Sequence, residues 1–241
     1  MSDELLRQQD GPLTRLTLNR PAKANALSAA LVEALLDAVD AAHSDGTHLL
    51  VLDGAGKHFC AGFDFTGYQE QSEGDLALRF IRVEMLLQAL HHAPFVTLAL
   101  AHGKIFGAGA DLVAACGLRV AAPGTTFRMP GLRFGVVLGT RRLAHRVGAD
   151  QARSLLAASR SFGCDEALGS HFLSAITPQA QWSTLVQHAQ TECELLCPIA
   201  TTALHQQTTP DTRADDMAAL ARSVAAPGLI QRIQRFRLSN P

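Results

Sequence analysis

Aromatic residues are scarce in this chain: tryptophan and tyrosine occur once each, and aromatics make up 5% of its 241 residues. That favours close packing of helices on a sheet over an aromatic recognition surface. Neither sign of charge dominates, with 21 Lys and Arg against 22 Asp and Glu, so nothing marks the chain as a binder of nucleic acid. Long apolar runs are also missing. The most apolar window, Phe95–Leu100, falls far short of the roughly 20 residues that span a bilayer. The N-terminal MSDELLRQQD has neither the basic flank nor the apolar stretch of a secretory signal. The five cysteines (Cys60, Cys116, Cys164, Cys193, Cys197) are odd in number, scattered and without a CxxC pair. They predict no disulfide framework, and no His or Cys near Cys193 and Cys197 completes a metal site. Reduced thiols in a cytoplasmic protein, away from membranes, are the expectation.

What is present is aliphatic: 47% of residues are apolar and 18% charged, enough for the core of one sizeable domain. Leu16 and Leu18 alternate with polar neighbours, as in a half-buried strand. From the N-cap candidate Ser28 the spacing becomes helical, with Leu27, Leu31, Leu35 and Val39 every fourth residue. A buried strand follows at 48–53, then helical spacing at Leu76, Phe80, Val83, Leu87 and Leu90, closed by Pro94. A strand at 95–101, a glycine-rich turn, a short helix near 107–116 and a strand near 118–121 come next. This alternation predicts an α/β layered domain. Beyond about Asp150 the chain reads as mostly helix.

Two glycine-bearing turns each follow a buried strand: GKHFCAGFDF (56–65) and HGKIFGAGADL (102–112). Small residues there admit a ligand close to the backbone and leave N–H groups free to meet an oxygen. The second turn also opens a helix, whose first N–H groups lack internal partners. Two such turns meeting in space would make an oxyanion hole; an ordinary strand-to-helix turn is the alternative for each. Neither is a phosphate-binding P-loop, because Gly56-Lys57 is followed by His58. Neither is a dinucleotide fingerprint, because Leu112 stands where a third glycine belongs.

NRPAKANALS (19–28), HFCAGFDF, GKIFGAGADLVAACGLRVAA and RLAHRVGADQARSLL follow one another in the order and spacing of the crotonase (enoyl-CoA hydratase/isomerase) superfamily, which the chain resembles over roughly residues 10–175. The resemblance implies a crotonase-like α/β spiral of ββα units over residues 1–190. It also implies a helical trimerisation region over 191–241, forming a homotrimer or a hexamer built as a dimer of trimers. It implies an acyl-CoA substrate, with coenzyme A entering as part of that substrate and no separate cofactor or metal. Matched residue by residue, the oxyanion donors are the N–H groups of Phe63 and Ala108. Asp64, Phe65 and Thr66 continue the thioester-lining segment, Ala22, Lys23, Ala24 and Ala61 lie near the adenine, and Lys57 lies near the phosphates. A solvated turn lysine is the alternative for Lys57, and Thr66 occupies a place where the family often has a further lysine.

Hydratases of this family use two glutamates, because hydroxyl and proton must be delivered in one site. Asp111 stands at the first position, with a helix-dipole carboxylate as the alternative. Gly131 stands at the second, so that carboxylate is missing, and the following turn is shortened to VVLGTRRL (136–143). Arg128 and Arg133 flank the vacated position, and His58, His102 and His145 lie in or beside the signature blocks. The pattern implies enolate chemistry on a thioester with Asp111 transferring the proton, as hydration or double-bond isomerisation of an enoyl-CoA. Thioester hydrolysis, decarboxylation, and a noncatalytic acyl-CoA-binding subunit remain alternatives.

Overall fold

In the strand Leu49–Gly54 (β3), the first four residues are apolar and buried without alternation because both faces of the sheet are covered there. In the computed structural model, which describes residues 3–239, Leu50 and Leu52 join Leu16, Leu18 and the main core. Leu49 and Val51 point the other way, to a second cluster with Leu98, Leu100 and Trp182. The sheet has the order β1-β2-β3-β4-β6-β9. Here β1 is Leu5–Asp10, β2 Leu13–Leu18, β4 Val96–Ala101, β6 Leu118–Ala121 and β9 Ala175–Ile176. β1 and β2 form an antiparallel hairpin; the remaining neighbours are parallel. A small second sheet holds β5 (Lys104–Phe106), β7 (Thr126–Arg128) and β8 (Phe162–Gly163).

Helix α1 (Ala29–Ala42) starts where the Ser28 hydroxyl accepts a hydrogen bond from the Leu31 N–H at 3.0 Å. Helix α2 (Glu73–His91) opens with a capping box between Ser72 and Asp75, and buries all five of the residues its spacing predicts. Helix α3 (Ala108–Ala115) follows the second glycine turn. Next come α4 (Thr140–Val147), α5 (Ala149–Ala158), α6 (Cys164–Gly169), α7 (Trp182–Cys193), α8 (Pro198–Thr208), α9 (Arg213–Ala225) and α10 (Leu229–Leu238).

The division at residue 190 does not coincide with a structural break. It falls inside α7, whose Trp182, Val186 and Ala189 cover the outer face of the sheet. Leu220 and Val224 of α9 and Leu229 and Ile233 of α10 belong to the main core. The C-terminal helices are therefore built into the same unit as the sheet. They are also tied by charge: Arg142 of α4 pairs with Glu84 of α2 and lies 3.5 Å from Asp216 of α9. All three side chains are buried, and removing one member of such a set typically costs about 3–5 kcal/mol. Helix α8 buries none of its residues.

Candidate active site

The two glycine turns touch. A Cβ on Gly62 (φ +83°) would sit 2.4 Å from the Phe106 carbonyl oxygen and 3.1 Å from the Ala108 nitrogen. A Cβ on Gly109 would sit 2.4 Å from the Cys60 carbonyl oxygen. No side chain fits either gap, so glycine is what lets the turns meet. The Phe106 N–H also donates to the Cys60 carbonyl at 3.3 Å. Around Phe63 the backbone is held by Leu27, whose N–H donates to Gly62 O (2.7 Å) and whose carbonyl accepts from Asp64 N (3.1 Å). The N–H groups of Phe63 and Ala108 meet no acceptor among the described residues, and both residues line one cavity of about 460 Å³.

Asp111 lines the same cavity, one helical turn beyond Ala108 and so on the same face of α3. It is 3% exposed, and its Oδ1 has no hydrogen-bond partner among the described residues. This is no solvated helix-end carboxylate. Burial pushes its pKa up to about 8, against the opposing pull of the Arg142 guanidinium and with a smaller push from Glu84. Room for it comes from Gly139, at the start of α4, where a Cβ would lie 1.8 Å from Asp111 Oδ1. Gly139 and its neighbour Thr140 were not singled out in the sequence. The only signal was their place in the shortened turn.

The rest of the lining is mostly apolar, with Arg128 and Thr140 the polar side chains on it. Six of the chain's eleven phenylalanines line it: Phe63, Phe65, Phe80, Phe106, Phe134 and Phe236. Phe63 stacks on Phe80 at 4.1 Å, and Phe236, from α10, packs on Phe134 at 5.1 Å. Gly131 lies on this wall. Its φ is outside the left-handed region, and a Cβ there would stand 3.0 Å from the Val136 carbonyl. The Arg128 guanidinium, also on the wall, donates through Nε to the Ser159 carbonyl at 2.8 Å.

Other residues singled out from the sequence lie elsewhere. Ala24 is hydrogen-bonded to Ala61, which lines the cavity, and Pro21 abuts Gly56, so Ala22, Lys23, Ala24 and Lys57 gather on one side of the entrance turns. Lys23, Lys57 and Thr66 are exposed. Asp64 is not part of the lining. Its carboxylate pairs with Arg20 at 2.9 Å and accepts from Thr66 N. Burial works against its charge, but the hydrogen bonds from Thr66 and Arg20 win and hold its pKa below the usual range. Asn25, unnoticed in the sequence, is fully buried and donates to the carbonyls of Ala55 and His58, joining the first signature block to the second.

None of the three candidate histidines faces Asp111. His58 Nδ1 accepts from the Lys104 N–H, and His102 Nε2 lies 3.0 Å from Gly56 O. His145 lines a different cavity of about 500 Å³, between the starts of β4 and β6 and helices α7 and α8. That cavity is the larger, but none of the glycine turns or unpartnered carboxylates reaches it. The smaller cavity is where the chemistry gathers. Among the described residues no cluster of His, Cys, Asp and Glu could hold a metal ion, and no helix is long and apolar enough to cross a membrane.

A family model for enoyl-CoA hydratase/isomerase matches residues 8–226. The chain belongs to that family. A crystal structure from Bordetella parapertussis, provisionally assigned as an enoyl-CoA hydratase/isomerase, is 52% identical, superposes with a TM-score of 0.97, and is covered over 100% of both chains. The enoyl-CoA hydratase echA6 of Mycobacterium leprae, itself a provisional assignment, is 34% identical over 170 residues. That match covers 68% of this chain and 66% of the relative, a little under two thirds of its length. The ethylmalonyl-CoA decarboxylase of Mus musculus is 30% identical over 196 residues, covering 78% of this chain and 60% of that protein.

Proposed function

We propose that this protein acts on enoyl-CoA thioesters carrying an apolar acyl group, adding water across the double bond or shifting it. The observation that carries the reading is a buried, unpartnered carboxyl, Asp111, beside two unpaired backbone N–H groups on one apolar cavity. The N–H groups of Phe63 and Ala108 form the oxyanion hole, worth most when charge builds on the thioester oxygen. Asp111, which changes protonation near neutral pH, moves the proton. The six phenylalanines select an apolar acyl chain, while Ala22–Ala24 and Lys57 serve the nucleotide end of coenzyme A. The exposed Leu195, Leu196, Ile199 and Leu204 around α8 supply the contact surface of a homotrimer, alone or paired into a hexamer. Five unpaired cysteines accord with a cytoplasmic setting.

Decarboxylation of a malonyl-type thioester is the second reading. It is favoured by Gly131, which leaves a single acid to protonate the enolate, and by the similarity to the mouse decarboxylase. The test is turnover on a panel of enoyl-, hydroxyacyl- and malonyl-type CoA thioesters with product identification. An enoyl substrate is expected to react fastest. Malonyl turnover alone would replace the first reading by the second, and binding without turnover would leave a noncatalytic acyl-CoA-binding subunit.

A further inference from the structure

Two buried side-chain oxygens on the cavity wall lack a hydrogen-bond partner among the described residues: Asp111 Oδ1 and Thr140 Oγ1. They are neighbours in space. The Asp111 carboxylate occupies the place of the absent Gly139 side chain, and Thr140 is the next residue, its Cα about 3.8 Å further on. Buried polar atoms are almost always paired, with protein or with ordered water. Two orphaned oxygens, on residues that line one cavity and meet at Gly139, therefore mark a place for one small polar molecule.

We propose that Thr140 and Asp111 together hold the water that adds to the double bond, so that Thr140 takes over the positioning task for which Gly131 has no side chain. This rests on the functional reading above and narrows it to hydration. The water gives one hydrogen to the ionised Asp111 carboxylate while its oxygen bonds to C3 of the enoyl group. The C2–C3 π pair moves toward the thioester, whose oxygen is held by the Phe63 and Ala108 N–H groups. Asp111 then returns the proton to C2, and the carboxylate is restored. Thr140 makes the water's second hydrogen bond and turns its lone pair toward C3. The charged groups around this niche are Asp111 on α3, Arg142 on α4 and Glu84 on α2.

Thr140→Val keeps the shape and removes the hydroxyl. Deleting an unpartnered buried hydroxyl should leave thermal stability equal or higher, whereas deleting a structural hydrogen bond would lower it. Hydration kcat should fall about 10- to 100-fold, with KM for the enoyl-CoA nearly unchanged, and Thr140→Ser should restore most of the loss. A Thr140→Val protein hydrating within twofold of wild type overturns the proposal, as does one that loses stability and activity together with no rescue by serine. Wild-type protein that shifts double bonds but does not hydrate would overturn the role of Thr140 and leave the enoyl-CoA reading standing. Wild-type protein that turns over no thioester overturns both.

Discussion

The cavity wall that carries Phe63 and Ala108 is set by close contact between two backbone turns, whereas the wall from Gly131 to Thr140, backed by α10, is set by side chains. On the first, glycines 62 and 109 have carbonyl oxygens standing where a Cβ would be, so almost any change pushes the turns apart. On the second, Phe134, Phe236 and Thr140 meet the cavity, and no backbone contact as close as those at glycines 62 and 109 involves them. The first wall accounts for membership in an enolate-stabilising family. Under the proposed function, choice of acyl group and of reaction is expected to lie on the second.

The comparison predicts unequal damage. Gly109→Ala places a methyl 2.4 Å from the Cys60 carbonyl and should separate the two N–H donors. Loss of one such donor costs about 10²–10³ in rate, and the fold of the variant is checked by circular dichroism before turnover is measured. Phe236→Ala on the other wall should leave kcat nearly intact and raise KM for a medium-chain enoyl-CoA about tenfold, with a smaller effect on a short one. Equal losses for the two variants would erase the distinction between the walls.

A milder probe is pH. Asp111 accepts a proton from water only when ionised, and its folded pKa is raised to about 8. Hence kcat/KM should climb as pH rises from 6 through 8 and level off roughly one unit above the pKa, the reverse of a site that needs the acid form. A profile flat across this range would show that a different group moves the proton.

The backbone wall was legible in the sequence because it is local. Each glycine turn is a contiguous signature, and strict spacing places Asp111 three residues after Ala108. Helices α1 and α2 were legible for the same reason, their apolar residues returning every three or four positions. The side-chain wall was not legible. Phe236 reaches the cavity from the far end of the chain, and Arg142, Glu84 and Asp216 meet from three helices. No periodicity records such meetings. β1 was missed because its exposed edge gives Leu-Leu-Arg-Gln-Gln-Asp no alternation. β5, β7, β8 and β9 are two or three residues long, too short to show a period. Residues 191–241 read as a helical trimerisation region because a helical pattern does not reveal which surface it covers; within them, α9 and α10 cover this chain's own core.

The central claim is that Asp111 is a buried carboxyl retained for chemistry at a cost to the fold. A carboxyl whose pKa is raised on folding gives its full stability below its unfolded pKa, near 4. That stability is lost as pH rises toward the folded value of about 8. At pH 7 most of the loss has accrued, about 4 kcal/mol at 1.36 kcal/mol per unit. The decisive measurement is stability and turnover of Asp111→Asn together at pH 7. After about 1–3 kcal/mol for burying an unpaired amide, the variant should still be more stable than wild type by roughly 1–3 kcal/mol, while turnover falls by about 10²–10⁴. A variant that is less stable and fully active would show Asp111 to be a structural carboxylate, and the account would be wrong at its centre.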